Sequence, residues 1–286
     1  MSSPRRPFVD AWPIVFTDLD GSLLDHYNYS HEPARETLDQ LESTGVAVIP
    51  NTSKTLAELI DIRVELKNHS PFSVENGAAV YIPAGYFPKQ PDNTRLFQYR
   101  GQDFWQYSAA KPREFWQNLI EVNCTDFASE FSTFGQLGVK GIVKTTGLSE
   151  AAATLANQRQ FSEPVHWTGD NTTQAEFIQV LVDSGAQVLA GGRFLHVLDP
   201  SVSKAAALEW ITQCYRDYGK RDQYLSIALG DSHNDISMLE AADVAALIRS
   251  PMHQPPTLNR TYPAIVSHEI GPSGWRAAIR QILDFK

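Results

Sequence analysis

Short β-branched runs alternate along this chain with longer stretches in which apolar residues recur every three or four positions. That alternation is the pattern of a mostly parallel sheet wrapped by helices. Residues 14–17 read as a buried strand. Residues 33–43 read as a helix with Leu38 and Leu41 on one face and Gly45 as its stop. A strand over 46–49, a helix over 56–68 carrying Leu59, Ile60, Ile62, Val64 and Leu66, and a strand over 72–74 continue the rhythm. It breaks at 83–94, a proline-rich segment with Gly85 that reads as a hinge.

From Leu96 to about Leu189 aromatic residues become frequent, and the pattern predicts helices alternating with strands such as 139–144 and 177–182. Gly191–Gly192 marks the return. A helix over 204–218, a strand over 225–229, a short helix over 235–241, a strand over 244–248 and a terminal helix from Trp275 complete the chain. The expected fold is therefore α/β: a doubly wound, mostly parallel sheet built from residues 1–83 and 191–286, with an α/β cap domain inserted at 84–190.

Composition narrows the function. Among 286 residues, 33 acidic against 24 basic side chains give a formal charge of −9, which disfavours nucleic acid and anionic membranes as partners. An anionic ligand would have to be held by local positive charge or a metal. The longest apolar runs are strand-length, and Asp18 and Asp20 follow the basic start before a signal-peptide core could form. Cys124 and Cys214 are too few for a disulfide framework. The expectation is a soluble, reduced, cytoplasmic protein.

Two segments concentrate carboxylates at strand ends, where open α/β sheets bind ligands. In Asp18-Leu19-Asp20-Gly21-Ser22, strand alternation would put Asp18 and Asp20 on one side. In Gly230-Asp231-Ser232-His233-Asn234-Asp235, Asp231 ends a second strand, and Asp235 taken alone reads as a helix cap. Asp18, Asp20 and Asp231 gathered at adjacent strand ends would repel unless a cation lay between them, and an all-oxygen set suits Mg²⁺. Asn51-Thr52-Ser53-Lys54, opening a helix, offers a phosphate seat or an ordinary cap. Lys204 stands in a first helical turn, where a cation is unfavourable, so charge neutralisation explains it better than surface solvation. Eight scattered histidines form no zinc motif, and Trp105, Trp116, Trp167, Phe104 and Phe115 read as core.

In this order, Asp18–Gly21, Thr52, Lys204 and Gly230–Asp235 resemble the four motifs of the haloacid dehalogenase-like superfamily of phosphatases. A large α/β cap between the second and third motifs, and Glu75-Asn76-Gly77 before the hinge, resemble one of its subgroups. Thr52-Ser53-Lys54-Thr55, Thr146-Gly147-Leu148, Ser162-Glu163-Pro164, the run from Gly191 to His196 and Gly271–Trp275 are similar to the mannosyl-3-phosphoglycerate phosphatase family; Ser273 stands where many members carry an acid. The resemblance implies Asp18 as nucleophile, forming an aspartyl-phosphate, and Asp20 as general acid and then base. It implies Thr52 and Lys204 as the remaining catalytic residues, balancing phosphoryl charge, and Asp18, Asp20, Asp231 and Asp235 around Mg²⁺. Ser53, Lys54, Asn76, Arg193, His196 and Asn234 are the expected contacts to a small phosphorylated sugar-glycerate, with Arg193 supplying a fork for its carboxylate. Glucosyl-3-phosphoglycerate phosphatases, other sugar-phosphate phosphatases and phosphomutases share the core motifs and stay open. A phosphoacceptor signalling domain would be about half this length, and a non-catalytic sugar-phosphate binder would have little use for Asp20.

Overall fold

The computed structural model describes residues 11–190 and 194–285. The chain opens with strand β1 (Trp12–Thr17), helix α1 (Arg35–Thr44), β2 (Ala47–Pro50), α2 (Leu56–Glu65) and β3 (Phe72–Val74). Strands β4 (Ala79–Pro83), β5 (Arg95–Tyr99) and β6 (Gln102–Tyr107) follow, then α3 (Arg113–Asn123), β7 (Phe131–Thr133), α4 (Phe134–Thr146) and α5 (Glu150–Ala156). Next come β8 (Glu163–Trp167), α6 (Asn171–Asp183), β9 (Gln187–Ala190), β10 (Leu195–Leu198) and α7 (Lys204–Tyr218). The chain closes with β11 (Tyr224–Gly230), α8 (Ile236–Ala241), β12 (Val244–Arg249), β13 (Ile265–Ile270) and α9 (Gly271–Leu283).

Three sheets result. The central one runs β13-β12-β11-β1-β2 with every pair parallel. Alternation splits β1 between two cores. Val15 packs with Trp275 and Ile279 of α9, whereas Ile14 and Phe16 pack with Leu208 and Ile211 of α7 and Met238 of α8. Strands covered on both faces read as continuous apolar runs, which is why this sheet was the legible part. A second sheet, β3-β4-β6-β5, is antiparallel and meets the first through the Asn51–Ser73 bridge. A third, β7-β8-β10-β9, is also antiparallel. Helices α3 and α6 cover it with Trp116, Ile120, Phe177 and Leu181; fully burying a side chain like Phe177 contributes about 1.5–3 kcal/mol.

Several expectations need correction. The boundary at 84 falls inside the second sheet, because the proline-rich segment links β4 to β5 rather than joining two domains. The boundary at 190 separates β9 from β10, which pair residue by residue from Leu195–Ala190 to Leu198–Gln187. The third sheet and its helices are the inserted unit. Residues 139–144 and 177–182 are helical. Phe177 and Leu181 face the core four positions apart, and Asp170 caps α6 by accepting from Thr172 and Thr173 N–H at 2.7 and 2.9 Å. In α4, a Thr133–Gln136 capping box starts the helix and Ile142 buries against Ala153 and Ala156 of α5. Of the aromatics read as core, Trp116 and Phe104 are fully buried, while Phe115 is exposed. No described helix is long and apolar enough to cross a membrane.

Candidate active site

Parallel register places the first two carboxylates. Thr17 pairs with Leu229, so Asp18 and Asp231 leave neighbouring strands at the same end of the sheet, and the Asp18 N–H donates to the Leu229 carbonyl at 2.9 Å. Both side chains are buried. Gly21 turns the chain away at φ +81°, and a Cβ there would lie 2.6 Å from Asp231 Oδ2. Ser22 Oγ donates to Asp231 Oδ1 at 3.3 Å. The third carboxylate is Asp235. Its Oδ2 accepts from the N–H groups of Asp231 and Ser232, both at 3.0 Å, while its Oδ1 faces Lys204. Capping and charge pairing thus use different oxygens of one residue.

Lys204 is fully buried in the first turn of α7, and its Nζ stands 2.6 Å from both Asp18 Oδ1 and Asp235 Oδ1. Asn51 Nδ2 fixes the start of that helix by donating to the Lys204 carbonyl at 2.8 Å. Gly77, at φ +94°, lets the chain pass so close that a Cβ would overlap the Ser203 carbonyl. Burial alone would lower the Lys204 pKa, but Asp18 and Asp235 overcome it and hold the ammonium above the ordinary lysine value.

Asp18, Asp231 and Asp235 can each turn one oxygen to a common point, all within 4.8 Å of one another. One lysine does not balance three buried carboxylates. Burial, with Asp235 and Asp20 adding to it against the pull of Lys204, drives the Asp18 carboxyl up to about 7. Burial, then Asp235 and Asp18, drives Asp231 up to about 8. A hard cation held by these oxygens would relieve that excess charge.

Asp20 is not in the cluster. Strand alternation ends with β1 at Thr17, and by Asp20 the chain has begun to turn, so this carboxylate leaves toward Lys54, with Oδ1 3.0 Å from Nζ. Lys54 also lies 3.8 Å from Glu58. Burial would lower the Lys54 ammonium, yet Asp20 and Glu58 hold its pKa above the usual value. The expected phosphate seat at a helix start is displaced too: α2 begins at Leu56, and Thr55 with Glu58 forms its capping box. Thr52 and Ser53 lie on the loop before it. Thr52 is buried past the end of β2, the other neighbour of β1, with its Oγ1 accepting from Lys54 N–H at 3.2 Å.

Asn234 Nδ2 donates to Asn76 Oδ1 at 3.2 Å, joining two expected substrate contacts. His196, on β10, has a buried Nδ1 without a hydrogen-bond partner among the described residues; burial and the charge of Arg159 push its pKa down to about 3. Arg193 lies outside the described residues. Two residues that patterning missed tie the inserted unit to the core. Glu75, buried at φ +50°, accepts from Gln160 N–H at 2.8 Å, Phe161 N–H at 3.1 Å and Ser162 Oγ at 2.6 Å. Arg159 donates through Nη2 to the Ser53 carbonyl at 2.9 Å and through Nη1 to Ser162 Oγ at 2.9 Å. Their signal was a lone acid and a lone arginine, which periodicity does not mark.

Acidic side chains at the ends of two adjacent parallel strands, bridged by a lysine from a third segment and faced by an inserted unit, define a class of enzyme. The chain belongs to the haloacid dehalogenase-like hydrolases: the family model matches residues 15–91 and 170–250. Among curated relatives it is similar to the glucosyl-3-phosphoglycerate/mannosyl-3-phosphoglycerate phosphatase of Methanococcoides burtonii, at 34% identity over 94% of this chain and 97% of that one. A protein of the same name from Persephonella marina is 32% identical over 95% and 97%. Among solved structures, a phosphatase of the haloalkanoate superfamily from Bacteroides thetaiotaomicron superposes with a TM-score of 0.66 at 15% identity, covering 99% of this chain and 97% of that one. A protein from Thermotoga maritima gives 0.60 at 15% identity over 96% and 97%. These two likenesses carry the fold.

Proposed function

We propose that this chain hydrolyses the phosphate monoester of a glycosyl-3-phosphoglycerate, the mannosyl ester in the first place and the glucosyl ester as the alternative. It is a phosphoric monoester hydrolase. The observation that carries the reading is the grouping of Asp18, Asp231 and Asp235 around Lys204 at parallel strand ends, in a chain similar over its length to enzymes named for those esters.

The donor set suits Mg²⁺: oxygen ligands from Asp18, Asp231 and Asp235, with the His253 ring 3.5 Å from Asp231 Oδ2 at its edge. Such an ion supplies positive charge to the phosphoryl oxygens and orients the Asp18 carboxylate. Asp18 attacks phosphorus, and the bond to the glycerate C3 oxygen breaks as Asp20 delivers a proton to it. Asp20 then takes a proton from the water that cleaves the aspartyl-phosphate and releases inorganic phosphate. Lys204 and Thr52 balance charge on the transferring group. Lys54 stands ready to pair with the substrate carboxylate, and its departure from Asp20 would leave Asp20 free to carry the proton. The inserted unit, held by Glu75 and Arg159, acts as the cap that excludes water and reads the glycosyl-glycerate. Buried, unpaired Cys124 and Cys214 suit a reducing cytoplasm.

The test is phosphate release from mannosyl- and glucosyl-3-phosphoglycerate, 3-phosphoglycerate and simple hexose phosphates, with and without Mg²⁺. The reading expects kcat/KM highest for a glycosyl-3-phosphoglycerate and no turnover after exhaustive chelation. A hexose phosphate preferred over both glycosyl esters contradicts the substrate, and full activity after chelation contradicts the cation.

A further inference from the structure

Between β1 and α1 the chain makes a loop, residues 25–30, that closes on itself. Asp25 N–H donates to the Ser30 carbonyl at 2.9 Å, and Tyr29 N–H donates to the Asp25 carbonyl at 3.0 Å. Asp25 Oδ1 accepts from the N–H groups of Tyr27 and Asn28 at 3.0 and 3.1 Å, and Asn28 Oδ1 accepts from Ser30 N–H at 2.8 Å. This network holds Tyr29 at φ +56°, a conformation that glycine or asparagine adopts readily and a bulky side chain does not. Core packing does not repay the strain, because Tyr29 is 46% exposed. The ring centroid lies 4.9 Å from Lys54 Nζ, and Lys54 in turn pairs with Asp20. With Asp20 as the proton donor of the reading above, the aromatic ring stands on the side where the leaving alcohol would depart. From the inserted unit, the Leu155 carbonyl accepts from Thr55 Oγ1 at 2.9 Å and Arg159 reaches Ser53, so α5 and the turn after it pack against the loop that carries Lys54.

We propose that Tyr29 is a specificity-determining residue: its ring, held beside Lys54 by the strained loop, is the platform on which the hexose of a glycosyl-3-phosphoglycerate stacks, so the core as well as the cap reads the sugar. This rests on the substrate reading above. A hexose presents an apolar C–H face and a rim of hydroxyls, and a half-exposed tyrosine offers flat apolar area at little entropic cost. Residues held in such strained conformations by their surroundings cluster at ligand clamps and active sites.

The experiment compares kcat/KM for glycosyl-3-phosphoglycerate with that for 3-phosphoglycerate, esters that differ only in the sugar, in wild type, Tyr29→Gly and Tyr29→Phe. The proposal expects the ratio to fall about tenfold in Tyr29→Gly, a loss of about 1.4 kcal/mol carried by KM, and to stay within twofold of wild type in Tyr29→Phe. The melting temperature of Tyr29→Gly should equal or exceed that of wild type, because glycine suits the left-handed backbone, so unfolding does not explain the loss. An unchanged ratio in Tyr29→Gly, or equal losses on both esters, overturns the platform. A wild-type ratio near one overturns the substrate reading instead, and is seen before any variant is measured.

Discussion

Asp235 shows why single residues are hard to read from a sequence. As the last residue of a capping box it looks local, yet its second oxygen binds a lysine 31 positions away in the chain. Asp20 is the converse: it shares a tripeptide with Asp18 but serves another partner, because the strand ends before it and alternation no longer applies. The charge excess left by Asp18, Asp231 and Asp235 gives a prediction with a definite sign. Folded carboxyls at about 7 and about 8 lie above their unfolded value, so the cation-free protein loses stability as pH rises from about 4 through about 8. A bound cation displaces those protons and is favoured as pH rises. Excess Mg²⁺ should raise the melting temperature by about 5 °C at pH 8.5 and by less than about 1 °C at pH 5.5. A Mg²⁺ effect equal at both values would contradict the site. Lys204→Met leaves Asp18 and Asp235 without their buried cation, and kcat should fall by about 10²–10³ in a steady-state phosphate assay.

At the level of elements, buried parallel strands and the helix beginning at Lys204 were legible because each is a single apolar run or stripe with a clear stop. Residues 139–144 read as a strand because Val139, Ile142 and Val143 make a short β-branched run, whereas the packed contacts belong to helix spacing. The segment Glu75-Asn76-Gly77 was recognised by resemblance, but not for what it does. All three residues have positive φ, and they touch the cap loop through Glu75, Asn234 through Asn76 and the start of α7 through Gly77. Gly77→Ala should therefore cost more than the ordinary left-handed penalty of about 1 kcal/mol, since backbone lies in the way. Gly85→Ala is the control: it shares positive φ but meets nothing within 4 Å. Gly77→Ala should lower the melting temperature by more than about 5 °C and reduce kcat by moving Lys204, while Gly85→Ala should lower it by about 2–4 °C and leave kcat unchanged. Equal effects from both would mean that the Gly77 approach does not position α7.

For the molecule as a whole, the order of motifs revealed a doubly wound core with an insertion. The limits of the insertion were not legible, because the break in composition at 83–94 joins two strands of one sheet, and Gly191–Gly192, outside the described residues, fall between the paired strands β9 and β10. Antiparallel pairing of β10 with β8 and β9 depends on contacts distant in sequence, which local pattern does not carry. The central claim is a division of labour between a buried Asp18 and an Asp20 held apart from it by Lys54. It is tested most directly by rapid-quench kinetics of Asp20→Asn with 4-nitrophenyl phosphate, followed by mass spectrometry of the peptide containing Asp18. Nitrophenolate departs without a proton, so the account predicts a burst approaching one product per enzyme and a phosphorylated Asp18 peptide that persists, because nothing activates water. No burst and no phosphorylated peptide from Asp20→Asn, under conditions where wild type turns over, would contradict it.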